Sequence, residues 1–379
     1  MTDYFNGCRL TFGVYYLLIF LVSMFLISHQ LLEGYPSDTT FHMRSVEQLF
    51  DGTLFVPYPL WHICVHYMSY VTINDKMAAS LVTAIFITLW AYIIHGVLHY
   101  LLGEAHEDRV STFKILSLVS VIFVIGPIYL PFFNEKIYFG QGSPNVWHNV
   151  TLFTVKPFAL LTFFFTILVL KNNNIRNYFI LSIIFLTLSM FAKPSFALVF
   201  IPALLVYYIS RRKYTNITFI FVCTMLAIFM SIAYFQYLNM FGENQTKIII
   251  DFLGVWSQFS PNVLISILLG LGFPSAFLML NFRISMEDDW IYLAWLMTVI
   301  SIILYAFLAE EGERYGHGNF GWSYLVSMSI LYIFTIAKFA EIMSSLGRFK
   351  VLTLNSILLY QVGVGIFYLS KILNGRGYA

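Results

Sequence analysis

A carboxylate and an imidazole four residues apart, Asp38 and His42, stand in a turn-rich stretch from Gly34 to His62 bordered on both sides by apolar sequence. On a helix that spacing puts both side chains on one face. Such a carboxylate can act as a general base, deprotonating a hydroxyl that attacks a substrate arriving through lipid. It can equally do no more than cap a helix. Asp38 follows Pro36-Ser37, a helix-start position, and the segment Thr39–Phe50 is amphipathic enough to lie on a membrane surface. Glu47 and Asp51 read as structural. Tyr58-Pro59-Leu60-Trp61 then begins a helix leading back to the membrane, with Tyr58 as a candidate substrate contact.

Three further groups carry chemistry. Gln141, Asn145, Trp147, His148 and Asn149 lie within nine residues. Such a Trp-His pair serves either as part of an aromatic belt or as a sugar site, the indole stacking on a pyranose while Asn, Gln and His give directional hydrogen bonds. Lys193, alone between two apolar runs, either snorkels to the interface or neutralises a leaving phosphate. The segment Glu310–Trp322 is the most polar of the chain and has four glycines that permit close backbone approach to a ligand. A solvated loop accounts for its glutamates but less well for Arg314, His317, Asn319 and Trp322. Arg314 is a second phosphate candidate, since a guanidinium matches phosphate oxygens bidentately. Asp38, His42, Glu310, Glu313 and His317 are metal-ligand types without a metal-site spacing, so no metal or other cofactor is expected.

Six residues recur: Gln141-Gly-Ser-Pro-Asn-Val146 and Gln258-Phe-Ser-Pro-Asn-Val263. Ser as N-cap with Pro at the first helical position predicts a helix start at each. The functional alternative is that both loops present Gln and Asn to one sugar-sized ligand.

The elements that must position these groups are membrane helices. Of 379 residues, 59% are hydrophobic and 11% charged, with mean hydropathy +0.77, against roughly 25% charged in soluble domains. Apolar runs of near the ~20 residues that cross a bilayer recur throughout, longer than barrel strands, so the fold class is an all-α polytopic membrane protein. The net charge of +2 argues against a nucleic-acid partner. Cys8, Cys64 and Cys223 imply no disulfide framework. Arg9 and the run from Leu10 to Ile27 read as a retained first helix, longer than a signal peptide's apolar core.

Spans are predicted at 10–30, 77–102, 115–132, 151–170, 178–193, 195–210, 216–238, 263–281, 290–308, 322–342 and 351–371. Residues 54–73 are read as a partly buried or re-entrant piece. With eleven spans and the N-terminus inside, the cytoplasmic segments collect eleven of the 21 basic residues, as the positive-inside rule asks. The chain then forms one domain, 1–379, with a first outer loop, 31–76, that carries juxtamembrane helices. Every group named above falls on outer loops, where chemistry is often carried by a rigid scaffold.

A first helix, an outer Asp, a surface helix ending in Gly and an aromatic-Pro-Leu helix together resemble the GT-C superfamily of membrane glycosyltransferases. Those enzymes have about eleven to thirteen helices and use polyprenyl-phosphate-linked sugars. Asp38 matches their catalytic aspartate and Tyr58-Pro59-Leu60 their PPL element. The Asp-Glu doublet of some subfamilies is absent after Asp38. The large soluble C-terminal domain of oligosaccharyltransferases has no counterpart in this sequence, so protein N-glycosylation by that route is not expected.

The resemblance implies an inverting transfer from a polyprenyl-phosphate sugar to a hydroxyl of a glycan, lipid or protein. Asp38 is the expected base. His42, Tyr58, Gln141, Asn145, Trp147, His148, His317 and Asn319 are the expected substrate contacts, and Lys193 or Arg314 the donor-phosphate ligand. The expected setting is a bacterial inner membrane with the site facing outward. A transporter or flippase of a lipid-linked glycan is the reading from another class, and an outer-face polysaccharide polymerase shares the chemistry.

Overall fold

The computed structural model describes residues 2–105, 112–138, 140–171, 175–240 and 247–376, without the side chains of 2–10, 104, 105, 175 and 240. Arg109 and the side chain of Arg9, two of the eleven basic residues counted for the inside, lie outside what is described. The molecule is 77% helical. Its elements in order are α1 (Thr2–Leu32), α2 (Asp38–Phe50), α3 (Leu60–Ser69), α4 (Asp75–Ala105), α5 (Thr112–Val124), α6 (Val150–Leu170), α7 (Ile175–Ala192), α8 (Ala197–Ser210) and α9 (Asn216–Met240). There follow α10 (Gly254–Ser257), α11 (Val263–Gly270), α12 (Gly272–Leu280), α13 (Phe282–Glu287), α14 (Asp289–Phe307), α15 (Gly321–Ile342) and α16 (Arg348–Leu373).

Seven of these helices are long and apolar enough to cross a membrane, or eight if the bent pair α11–α12 counts as one span. The chain is an all-α multi-pass membrane protein. α6 and α15 form its centre, with 83% of each spanning stretch buried, whereas the figure for α1, α9 and α16 is 17–28%. Those three outer helices turn large apolar side chains outward, among them Leu18, Val22, Met230 and Ile366. Only lipid makes that exposure inexpensive.

Each of the eleven predicted spans coincides with a helix, but four are not plain crossings. α7 and α8 are short, and so is α5, which stops at Val124 where a helix was predicted through residue 132. Gly126-Pro127 ends it, because proline disfavours helix in the residue before it and supplies no N–H. The extended backbone beyond is not orphaned. Gly126 N–H donates to the Gln361 carbonyl at 3.0 Å and Ile128 N–H to the Leu269 carbonyl at 2.9 Å. Gly365 is required where α16 lies against this strip, since a Cβ there would overlap the Val124 carbonyl oxygen.

The fourth is the predicted span 263–281, which breaks at Leu271 with a bend of 79°. Two buried side chains satisfy the freed backbone groups. The Tyr332 hydroxyl donates to the Gly270 carbonyl at 2.8 Å, and Gln361 accepts from Phe273 N–H at 3.1 Å while donating to Tyr332 at 2.7 Å. Irregular backbone at membrane depth is tolerated only where protein encloses it in this way.

Residues 54–73 contain only the ten-residue α3, about 15 Å long and half of a ~30 Å hydrocarbon core. A short antiparallel ladder was not foreseen. β1 (Ile248–Ile250) pairs with β2 (Leu308–Glu310) in the register Ile248↔Glu310, tying together two loops predicted to be outer.

The two ends of α6 define two faces of the bundle. At one end lie α2, α3, the α7–α8 corner and the loops around Glu310. The other carries Lys171, Arg211 and Lys338, with Arg211 paired to Asp289 at 3.2 Å and Lys338 to Asp288 at 3.3 Å. The polar groups singled out from the sequence therefore gather at one end.

Candidate functional site

Ser37, not Asp38, caps α2. Its backbone is extended, its hydroxyl oxygen accepts from Thr39 N–H at 3.2 Å, and the same hydroxyl reaches the His148 carbonyl at 3.1 Å. The capping role offered for Asp38 is thus taken by its neighbour. Asp38 becomes the first helical residue, half-buried, its carboxylate next to the positive end of the α2 dipole.

That carboxylate meets a second helix start. Asn149 caps α6: its side-chain oxygen accepts from Leu152 N–H at 2.8 Å and from the Thr151 hydroxyl at 3.1 Å. Its amide nitrogen is left free to donate to Asp38 Oδ2, at 2.5 Å. The Thr151 hydroxyl in turn accepts from Lys193 Nζ at 3.1 Å, and the ammonium lies 4.3 Å from the centre of the Trp322 ring. A carboxylate and an ammonium are therefore linked across the first turn of α6, in the order Asp38, Asn149, Thr151, Lys193. Burial pulls the Lys193 amine down to about 8, against the opposing pull of the Asp38 carboxylate.

Two imidazoles lie near the carboxylate. His42 turns to His62, ring nitrogen to ring nitrogen at 3.1 Å. Burial holds His42 well below the usual range, reinforced by the His62 and Lys193 charges, and burial takes His62 to about 4. His148 contacts the Tyr368 hydroxyl at 3.2 Å and packs edge-on to Tyr138. Burial lowers it to about 4, opposed by Asp38.

The Glu310 segment closes the other side. Glu310 is buried, accepting from Arg314 Nε at 2.8 Å and from the Asn319 amide at 2.8 Å. Tyr58 joins the two halves. Burial raises its phenol, which also feels the Arg314, Glu310 and Asp38 charges. Asp38, Tyr58, His148, Lys193, Glu310, Arg314 and Asn319 thus belong to one neighbourhood, and His42 borders it.

The remaining predicted contacts go elsewhere. Asn145 is buried and donates to the Ile122 and Ile125 carbonyls at 2.9 and 3.1 Å, fixing the end of α5. Trp147 packs among Phe123 and Phe153. Gln141 is fully enclosed, its backbone carbonyl against Tyr324, and its side-chain amide meets no hydrogen-bond partner among the described residues. His317 is exposed at the end of a six-residue 3₁₀ helix, Gly312–His317.

The repeated hexapeptide is not two serine-capped helix starts. Ser143 and Ser260 accept from the N–H of Asn145 and Asn262, at 3.3 and 3.2 Å, in the same small turn. Only the second copy leads straight into a helix, and Asn262 caps it. The first copy has Gly142 at φ +85°, beside Tyr324, and continues as irregular chain to Asn149.

Sequence reasoning passed over Asn149 as the partner of Asp38, Thr151 as the link to Lys193, and Lys156. Lys156 is wholly buried inside α6, donating to the Pro144 carbonyl at 2.6 Å and to Asn145 Oδ1 at 3.2 Å, with Trp90 4.2 Å from its ammonium. A lone charge six residues into an apolar run was its signal. Among the described residues no three His, Cys, Asp or Glu side chains converge as a metal-ligand set. No protein-family model matches this sequence, and neither does any curated protein sequence.

Proposed function

We propose that this protein is an inverting membrane glycosyltransferase, with eleven membrane segments in a GT-C-like bundle and its site at the outer face. The sugar comes from a polyprenyl-phosphate donor and goes to a hydroxyl of a glycan, lipid or protein. The observation that carries the reading is the Asp38–Asn149–Thr151–Lys193 chain across the start of α6. Inverting transfer needs two charged groups at once. A base takes the proton of the attacking hydroxyl, and a cation holds the phosphate as the sugar–phosphate bond breaks.

In this reading the acceptor oxygen attacks the anomeric carbon on the face opposite the leaving group. Its proton passes to Asp38, and polyprenyl phosphate departs against Lys193. The start of α6 favours negative charge on both groups. Arg314, already engaged by Glu310, orders that carboxylate rather than the phosphate. Tyr58, His148 and Asn319 supply polar contacts, and Trp322 backs the ammonium.

A flippase of a lipid-linked glycan is favoured by two features, the broken pair α11–α12 and the charge of Lys156 inside a spanning helix. Both have local partners in the protein, which weighs against a substrate path along them. The test is to offer the purified protein a panel of polyprenyl-phosphate sugars with candidate acceptors. Release of polyprenyl phosphate together with an inverted glycosidic product is expected. Movement of the intact lipid across vesicles without its cleavage would reject the enzyme.

A further inference from the structure

A polar hollow of about 670 Å³ opens at the site end of the bundle. Three separate stretches form it: the extended chain after α5, the turn holding the second Ser-Pro-Asn copy, and the end of α16. Its charges are unbalanced. Among the described residues, Lys136, Lys371 and Arg376 line it, with Glu135 as the one acidic residue. Among the described residues none of these cations has a carboxylate within 4 Å. Lys371 feels the like charge of Arg376 and the opposite charge of Glu135. At the other end of the bundle, by contrast, Lys338 and Arg211 each have an acidic partner.

The lining also suits the boundary of a membrane. Lys136 lies 4.9 Å from the centre of the Phe259 ring and donates to the Gln258 carbonyl at 3.4 Å. Lys371 sits over Tyr129 and Phe367 at 5.6 and 5.4 Å. Below it α16 presents an outward apolar face through Ile366 and Phe367. Like charges brought together in one hollow repel one another, and an anion seated between them relieves that repulsion. An apolar strip leading to the hollow gives a lipid chain a surface to follow.

We propose that this hollow binds a phosphate group, with Lys136, Lys371 and Arg376 as its ligands. The inference does not rest on the proposed transferase activity, and it concerns a site built from other residues. Whether the phosphate is a lipid headgroup or a free ion is decided by the test. Full-length protein in phosphatidylcholine nanodiscs is titrated with phosphatidic acid, retained lipid being counted by native mass spectrometry, and separately with inorganic phosphate by calorimetry. The comparison is the Lys136→Gln, Lys371→Gln, Arg376→Gln triple variant, with folding checked by its melting temperature.

Wild type retains phosphatidic acid over phosphatidylcholine, and the triple variant lowers that retention at least tenfold. Retention without a phosphate heat assigns the site to a lipid headgroup. A phosphate heat that the variant loses assigns it to the free ion. Should the variant unfold, Arg376→Glu alone, on an exposed side chain, must lower the same readout. Equal binding by wild type and variants, or no binding of either probe, overturns the proposal.

Discussion

The side-chain amide of Asn149 donates to the carboxylate of Asp38 at 2.5 Å across 111 residues of sequence. The same side chain caps α6 through its oxygen, so one residue fixes both a helix start and the candidate base.

Replacing Asn149 separates those two jobs. Asn149→Ala removes the cap and the bond to Asp38, and is expected to cost about 1 kcal/mol or more of stability. Asn149→Asp keeps a capping oxygen but sets a second carboxylate against Asp38. Its melting temperature should therefore fall further below wild type at pH 8 than at pH 5, where protonation relieves the pair. A deficit that does not change with pH would contradict the contact.

Lys156 holds the loop before α6 by bonding Pro144 and Asn145. Lys156→Met leaves two buried acceptors without that donor, at a rough cost of about 1–3 kcal/mol for each group left unsatisfied. In a double-mutant cycle with Asn145→Leu the losses should not add, because both act on one contact. Additive losses would separate them.

How much of this was legible in the sequence depends on the range of the interaction. Apolar runs located a helix at each of the eleven predicted spans, and Asp38 was picked out by its turn and its position beside a membrane. The breaks after Val124 and at Leu271 were written in Gly126-Pro127 and in Gly270, Gly272 and Pro274, yet the apolar runs pass straight through them. The start of α6 at Val150 matches the predicted span, but Ser143-Pro144 was read as a helix start because it satisfies the same pattern as a true cap, and only packing against α5 holds that turn out of a helix. No local pattern pairs Asp38 with Asn149 or Thr151 with Lys193. Those partners are selected by tertiary packing.

Acid should destabilise the protein through its buried histidines. Burial lowers His42, His62 and His148, the last two to about 4. The unfolded chain binds protons at its usual histidine value of about 6.5, before the folded one does. Stability is therefore full above that pH and is lost as pH falls toward 4. Melting temperatures from pH 7.5 to 4.5 should show the decline, and His62→Gln should flatten it. A flat wild-type profile would mean these imidazoles remain hydrated.

The Lys193 amine, held at about 8, should impose a pH limit on donor binding. Its protonated fraction falls about tenfold between pH 7 and pH 9, so KM for the lipid-phosphate donor should rise by a similar factor. In Lys193→Arg that rise should vanish, because a guanidinium stays charged. A rise that persists in the variant assigns it to another group.

The central claim is that Asp38 takes the acceptor proton. It is tested most directly by comparing wild type, Asp38→Asn and Asp38→Glu at equal folded fraction, measuring polyprenyl phosphate released per molecule of protein. Asp38→Asn keeps the size and a hydrogen bond but cannot accept the proton, and turnover is expected to fall by about 10²–10⁴ with the melting temperature little changed. Asp38→Glu should recover part of it. Turnover of Asp38→Asn close to wild type would contradict the account.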